Sequence, residues 1–344
     1  MEIYLFLGIV SFLLLGLSER YFPVKIMLTI LVVFIAVIFG LRFNVGMDYE
    51  SYYSIISEIS KGNSVSQEVG FVNTSKFLMS VGFTPNGVIF FFTIITSLLF
   101  SVFINQNVKN VKLGHLLYFL LPFLMLATLN QIRQFLAVAI FINTFMFIKD
   151  RKIVPFLLLI GFGALFHKSI LLLIPLYFFS HKSYKLSLYI IAAILIFGLI
   201  RNAESILSLL NFSRIYFIES ESSRISLLSF VPAIISFWFI FKYRKSKDSK
   251  ISILKNMLFL YSVIVFSQLF TTFRAFFILR YATYFTPFII MMIDTLIEEQ
   301  TAYWKKFYLS CSIAVVSIIY FYITIASNGE SYHLVPFNFN FSIF

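Results

Sequence analysis

The chain alternates between long apolar runs and short polar breaks over almost its whole length. A membrane-spanning helix needs about 20 apolar residues, or fewer where its ends reach the interface. One of the apolar runs, Val154–Phe179, is interrupted by His167-Lys168 and is compatible with one long span or two half-helices. The other runs predict ten full crossings: Ile3–Leu17, Val24–Leu41, Gly87–Ile104, Leu113–Leu129, Phe135–Ile148, Tyr184–Ile200, Ile225–Phe241, Leu254–Thr272, Phe277–Leu296 and Phe307–Ser327.

The basic segment Tyr243–Lys250 sets the predicted orientation, because cytoplasmic loops of membrane proteins carry an excess of positive charge. Counting spans outward from it places both ends of Val154–Phe179 inside, which requires an even number of crossings. The parity favours a hairpin with His167 and Lys168 at its tip, and it places both chain ends outside. The predicted fold is an all-α polytopic helix bundle, with ten transmembrane helices and one broken-helix hairpin in a single membrane domain, 1–344.

The polar breaks predict two substantial outer loops, 42–85 and 201–224, with short amphipathic helices that lie on the membrane surface. The main cytoplasmic loop is the basic segment 242–255. Such short inner loops cannot fold a nucleotide-binding domain, and the chain has no Walker A or dinucleotide-binding glycine motif. The function is therefore expected within the membrane or at its outer face.

The distribution of arginine changes this picture. The net charge of +12 would suggest a nucleic-acid partner in a soluble protein, but here it arises from the cytoplasmic loops, and no nucleic-acid partner is predicted. By the predicted topology, 14 of the 17 lysines lie inside, whereas 7 of the 10 arginines lie outside. Arginine suits bidentate contacts to phosphate. The asymmetry indicates an anionic substrate at the outer face.

The candidate site residues lie at the outer ends of predicted spans. Arg280 falls inside an apolar run, where a charge is costly enough that function is the default expectation. Arg133 has glutamines but no acid beside it in the sequence. Ordinary interfacial arginines and an aromatic belt are the alternative readings. The four segments are Gly40–Tyr53 with Arg42, Asp48, Tyr49, Tyr52 and Tyr53; Asn130–Gln134 with Gln131, Arg133 and Gln134; His167–Ser169; and Thr271–Tyr284 with Arg274, Arg280, Tyr281 and Tyr284.

These segments together resemble the EpsG-like, Wzy-type polysaccharide polymerase family. The resemblance is carried by short motifs along most of the chain: Gly40-Leu-Arg with Val45-Gly-Met-Asp-Tyr-Glu-Ser-Tyr-Tyr53, Arg133-Gln-Phe-Leu-Ala137, Ala164-Leu-Phe-His-Lys-Ser-Ile170, Arg280-Tyr-Ala-Thr-Tyr284 and Val335-Pro-Phe-Asn338. It implies a multi-pass glycosyltransferase of the bacterial inner membrane that makes O-antigen, capsule or exopolysaccharide.

The resemblance also implies a substrate, an oligosaccharide linked to undecaprenyl diphosphate, which the enzyme would transfer at the outer face onto another lipid-linked repeat unit. Arginines would stabilise the diphosphate leaving group: Arg133 and Arg280, supported by Arg42 and Arg274. The tyrosines and glutamines of the same segments would contact the sugars. No metal or cofactor is predicted, and the expected partners are membrane lipid, a flippase and a chain-length regulator of the pathway.

A general base is expected to activate the acceptor hydroxyl. Two residues next to the motifs are candidates, His167 and Asp48. Histidine is substantially neutral at neutral pH and is favoured as the base, while Asp48 is the alternative. Competing functions are a lipid-linked oligosaccharide flippase or transporter, for which inverted repeats and coupling acids would be typical, and a membrane ligase or acyltransferase acting on surface glycan.

Overall fold

The computed structural model describes residues 2–13, 23–202, 230–269 and 280–344. The described chain is 73% helical with almost no sheet, which confirms the predicted all-α class. It forms two compact units: Met1–Phe145 with Val154–Ile174 and Ile293–Phe344, and Met146–Ile153 with Pro175–Met292. The predicted single membrane domain stays a prediction. Most of the predicted loop 201–224 lies outside the described residues.

The described elements run in chain order with one short 3₁₀ segment, Lys168–Leu173, between α10 and α11. They are α1 Glu2–Leu13, α2 Val24–Gly40, β1 Arg42–Phe43, α3 Tyr49–Ser60, α4 Val69–Ser80, α5 Pro85–Asn107, α6 Val111–Leu120, α7 Met125–Asn130, α8 Ile132–Ile142, α9 Phe145–Lys149, α10 Ile153–Ala164, α11 Leu176–Phe179, α12 Leu186–Arg201, α13 Val231–Lys242, α14 Ser249–Ser267, α15 Phe288–Glu298, α16 Tyr303–Asn328 and β2 Asn338–Phe339.

Four helical segments of the described chain are long and apolar enough to cross a membrane: Pro85–Asn107, Ile132–Lys149, Ser249–Ser267 and Tyr303–Asn328. Shorter apolar helices cover several of the other predicted spans, α2 and α12 among them. A membrane protein is therefore supported, while the predicted count of ten full crossings stays a prediction.

Two predicted spans are not continuous helices, and each contains a proline. In the run Leu113–Leu129, α6 ends at Leu120, directly before Leu121-Pro122. In the run Phe277–Leu296, the described residues 283–287 form turns and α15 begins only at Phe288, after Pro287. Proline lacks the N–H that a helix interior needs, and it disfavours helical geometry in the residue before it. The apolar composition hid both breaks.

The stretch Val154–Phe179 is broken at the predicted place. Helix α10 ends at Ala164, and His167 is extended, with φ −156° and ψ 110°. At the other end of the stretch, Arg151 Nη1 donates to the carbonyl of Tyr177 at 3.1 Å. The two ends therefore lie side by side, as a hairpin requires.

The segment 42–85 is closed by the C-terminal residues. Strand β2 pairs antiparallel with β1, with Arg42 opposite Phe339. The hydroxyl of Thr84 donates to the carbonyl of Ser342 at 2.6 Å, and its backbone N–H donates to the carbonyl of Ile343 at 2.8 Å. The segment thus folds as α3 and α4 between α2 and α5, with its two ends held by the tail.

Candidate active site

The loop after α2 is fastened to the turn between α7 and α8. The backbone N–H of Met47 donates to Asn130 Oδ1 at 2.8 Å. Gly46 adopts a φ of +102°, and a Cβ atom there would lie 2.7 Å from the same oxygen. Glycine meets both demands, the positive φ and the close approach. Two of the sequence motifs are therefore neighbours in the fold.

Arg42 lies in the interior beneath this loop, with only 1% of its surface exposed. Its guanidinium donates to the carbonyls of Val45, Phe39 and Leu129 at 3.1–3.2 Å, and to the Thr93 hydroxyl at 3.0 Å. These contacts join α2, α5 and α7. The predicted role of Arg42 as a supporting diphosphate ligand does not fit this buried placement, because its donors already face protein oxygens.

Arg133 lies at the first turn of α8 and is ion-paired with Glu68. The guanidinium carbon lies 5.8 Å from the ring centre of Tyr52 and 5.6 Å from that of Phe71. Its side chain is 21% exposed, and its Nε has no hydrogen-bond partner. The guanidinium is thus held by one carboxylate and two rings, and part of the side chain stays open to solvent.

Glu68 directly precedes α4, at the N-cap position, yet its side chain does not cap the helix. The backbone N–H groups of Gly70 and Phe71 donate instead to the carbonyl of Leu165, at 2.8 and 3.3 Å. That carbonyl is available because α10 ends at Ala164. The Leu165 carbonyl thus accepts hydrogen bonds from N–H groups in the first turn of α4, in place of a side-chain cap. The Glu68 carboxylate is therefore able to make other contacts.

Those contacts reach His167. The Nδ1 atom of His167 lies 3.4 Å from Glu68 Oε1, within ion-pair reach but not aligned for a hydrogen bond. The backbone N–H of Lys168 donates to the same oxygen at 3.3 Å. Glu68, Arg133 and His167 therefore form one charged cluster, in which the carboxylate lies between the other two side chains.

The charged cluster keeps Glu68 ionised. Burial would raise the pKa of this carboxyl, but the contact with His167 and the charge of Arg133 oppose it and lower the pKa to about 2. The carboxylate is therefore ionised at neutral pH. The structure thus places an anion beside His167, in addition to the neighbouring Lys168 and the nearby Arg133.

Asp48 lies at the N-cap position of α3, near the charged cluster. Its charge acts on Tyr52, together with that of Arg133, while burial is the main reason that the pKa of Tyr52 is raised. The structure therefore brings Asp48, Tyr52 and Arg133 into one neighbourhood, although the two base candidates, Asp48 and His167, are in different segments of the chain.

The predicted sugar-contacting residues separate by exposure. Tyr49 and Tyr52 are buried, and the Tyr49 hydroxyl donates to Asn86, whereas Tyr53 is 39% exposed. The Tyr53 ring stacks on Tyr49 at 6.4 Å. Gln131 is half-buried and its Oε1 has no hydrogen-bond partner, whereas Gln134 is buried. Tyr53 is the exposed member of this set, and Gln131 is half-buried with its Oε1 turned away from solvent.

The remaining predicted residues belong to the second unit. Arg280 and Tyr281 are half-buried helical residues, and Tyr284 is buried in the turns that follow. These turns and Pro287 separate Arg280 from α15. The predicted role of Arg280 as a diphosphate ligand stays a prediction. Arg274 lies outside the described residues.

Glu68 is the residue that sequence reasoning missed. It lies 65 residues from Arg133 along the chain and shares no motif with it. One signal was available: a half-buried arginine without a local acid needs a distant one, and the segment 42–85 contains few. The predicted Arg133 environment, an amide-rich turn with no acid, is corrected by this contact.

The cluster, Asp48 and the fastened turn all fall within one region of family similarity. A family model described as the EpsG family matches residues 25–339. The chain belongs to the EpsG family. The resemblance seen in the sequence motifs is thereby confirmed. No curated protein matches the chain, and no solved structure does.

Membership of the EpsG family indicates a polysaccharide polymerase-like membrane protein with glycosyltransferase-like activity. The charged cluster fits such chemistry in its residue types. A partly exposed arginine suits an anionic leaving group, and an imidazole suits proton transfer at neutral pH.

Proposed function

We propose that this protein is a glycosyltransferase that polymerises oligosaccharide repeat units carried on undecaprenyl diphosphate. In this proposal it acts at the outer face of the bacterial inner membrane and moves the growing glycan onto the terminal sugar of another lipid-linked unit. The observation that carries the proposal is the charged cluster, in which a partly exposed guanidinium and a partly exposed imidazole share one carboxylate.

Arg133 has the properties of a diphosphate ligand. Its side chain is 21% exposed, and the ring faces of Tyr52 and Phe71 hold the guanidinium in place. A fixed guanidinium stabilises the charge that develops on a departing diphosphate without reorganisation during the reaction. We propose Arg133 as the principal diphosphate ligand of the first unit and a structural role for Arg42. For Arg280 and Arg274 the proposal rests on sequence alone.

His167 is the proposed general base. The acceptor hydroxyl oxygen forms a bond to the anomeric carbon of the donor sugar, and its proton passes to the imidazole. The bond from that carbon to the diphosphate oxygen breaks, and its electron pair leaves with the lipid diphosphate. A general base contributes about 10²–10⁴-fold to such a step. Asp48 is the alternative base or an orienter of the acceptor.

The apolar helices fit a substrate that is carried on a membrane lipid. A polyprenyl chain dissolves in the membrane beside such helices, so donor and acceptor would both arrive by lateral diffusion. Energy for the transfer is stored in the diphosphate linkage, so no nucleotide site is needed. The exposed Tyr53 ring and the Gln131 amide are proposed to contact the sugars.

Deletion in the host, followed by gel analysis of surface glycan, tests the function. A polymerase mutant retains single capped units and loses long chains, and we expect this pattern. Loss of all surface units would favour a flippase, and long chains retained only on the lipid carrier would favour a ligase. Unchanged chain length with altered acylation would favour an acyltransferase. Purified protein with lipid-linked repeat units should then form longer products in vitro.

A further inference from the structure

We propose that Glu68 is the positioning residue of the transfer reaction: it orients His167 with Nδ1 toward its carboxylate, so that Nε2 faces the acceptor hydroxyl. The inference rests on the proposed function and adds a residue to it. Glu68 itself touches neither sugar nor diphosphate in this proposal. It acts through His167 and, on its other side, through Arg133.

The contact geometry divides the carboxylate between its two partners. Oε2 faces the Arg133 guanidinium, while Oε1 lies 3.4 Å from His167 Nδ1 and accepts the Lys168 N–H at 3.3 Å. One anion therefore sets the relative positions of the proposed phosphate ligand and the proposed base. Reacting groups that must act together gain from such fixed geometry.

The backbone directly after Glu68 lies very close to Leu165, where α10 has ended. A Cβ atom on Gly70 would lie 2.6 Å from both Cβ and the carbonyl oxygen of Leu165. The Gly70 and Phe71 N–H groups donate to that oxygen. Because α4 docks directly on the residue two positions before His167, the Glu68 carboxylate is held at the imidazole by main-chain hydrogen bonds as well as by charge.

The charges around the imidazole explain why an anion is needed. Arg133 on α8 and Lys168 on the same segment both oppose a positive charge on His167, whereas Glu68 favours it. Tyr52 on α3 is a neutral phenol, and Asp48, whose charge acts on Tyr52, is a further acid of this neighbourhood. When His167 accepts the proton it becomes cationic, and the Glu68 carboxylate stabilises that state.

Side-chain replacements at position 68 separate positioning from packing. Glutamine keeps the length but loses the negative charge, and aspartate keeps the charge but shortens the reach. We expect E68Q to lower kcat by about 10²-fold, the cost typical of a misplaced catalytic group, with KM for the acceptor changed less than threefold. E68D should recover part of the lost kcat. E58Q is the matched control, because Glu58 lies in the same 42–85 segment, is exposed and pairs with Lys61.

Two readouts separate positioning from a merely structural role. They are the split between kcat and KM in E68Q and the recovery of kcat in E68D. A double variant checks the route of action: in the H167Q background, E68Q should lower the residual kcat by much less than it does in the wild type, because only its effect through Arg133 remains. The thermal midpoint of each detergent-solubilised variant reports its folding.

The outcomes distinguish this inference from the proposed function. Wild-type protein without polymerase activity would end the proposed function itself. Active wild type, inactive H167Q and an E68Q variant with normal kcat would overturn the role of Glu68 alone. A folded E68Q whose loss multiplies fully with that of H167Q would also overturn it, because Glu68 would then act independently of the imidazole.

Discussion

Arg133 and Glu68 are ion-paired although 65 residues of chain separate them. The pair connects the first turn of α8 with the residue before α4. Its members are 21% and 12% exposed, respectively, so the contact is largely shielded from water. The contact joins Arg133, which belongs to a recognisable sequence motif, to Glu68, which belongs to none. Arg133 is therefore the first arginine to test.

Replacement of Arg133 should abolish polymerisation without loss of the protein from the membrane. We expect R133A to lower turnover by about 10²–10³-fold, the range found when a transition-state hydrogen-bond donor is removed. R133K should not restore activity, because an ammonium cannot reproduce a two-pronged contact. The assay is in vitro extension of lipid-linked repeat units, with exposed Arg244 replaced by alanine as control. Full polymerisation by both R133A and R280A would remove the diphosphate hypothesis.

Replacement of Arg42 should act on stability. Its four buried hydrogen bonds are lost in R42A, and each charge-assisted bond contributes about 1.5–3 kcal/mol. We expect the free energy of unfolding to fall by about 3 kcal/mol or more, measured as a lower thermal midpoint in detergent. Turnover per folded molecule should change little in comparison. A variant of wild-type stability without turnover would instead place Arg42 at the substrate.

Gly70→Ala tests the docking of α4 on the helix break. The new methyl group would lie 2.6 Å from Leu165, so the first turn of α4 must move and carry Glu68 away from His167. We expect kcat to fall by at least about tenfold, since displacements near 1 Å can cost 10²-fold. Gly161→Ala is the matched control, because nothing lies within 4 Å of the added atom there. Equal activity of the two variants would show that the close approach is unimportant.

His167 and Asp48 are separated by paired substitutions. H167Q should lose about 10²–10⁴-fold in turnover, the contribution of a general base, whereas D48N should mainly raise KM for the acceptor. Both are measured with purified protein and lipid-linked repeat units at saturating donor. Near-normal turnover by H167Q together with an inactive D48N would reverse the two roles.

Cysteine accessibility tests the predicted orientation. After replacement of Cys311, a cysteine at position 61, an exposed site directly after α3, should react with a membrane-impermeant thiol reagent in intact cells. A cysteine at position 247, in the basic loop, should react only after the cells are opened. Labelling of position 247 from outside would invert the topology, and with it the assignment of the cluster to the outer face.

The features that depend on neighbouring residues could be predicted from the sequence. The break at His167 was predicted because two polar residues interrupt an apolar run, and parity then required a hairpin, which the Arg151–Tyr177 contact supports. The breaks near Pro122 and Pro287 have an equally local cause, the proline itself. The apolar residues on both sides of each proline nevertheless favour one continuous span. In both cases the information lies within a few residues of the feature.

Long-range pairings and burial could not be predicted in the same way. Nothing in the spacing of Glu68 and Arg133 connects them, and the docking of α4 on Leu165 depends on the whole fold. Arg42 and Arg133 look alike in sequence, each at the end of an apolar run. Only the surrounding carbonyls of Phe39, Val45 and Leu129 show that Arg42 belongs to the interior.

The pairing of β2 with β1 also has a consequence for biogenesis. The segment that contains Asp48 and Glu68 emerges from the ribosome early, whereas its partner strand Asn338–Phe339 is made only after all the helices between them. By the predicted topology, that strand must then be translocated before the sheet can form. Assembly of the site is therefore completed late, and an enzyme that meets its substrate in the same membrane would gain its full geometry only after insertion has finished.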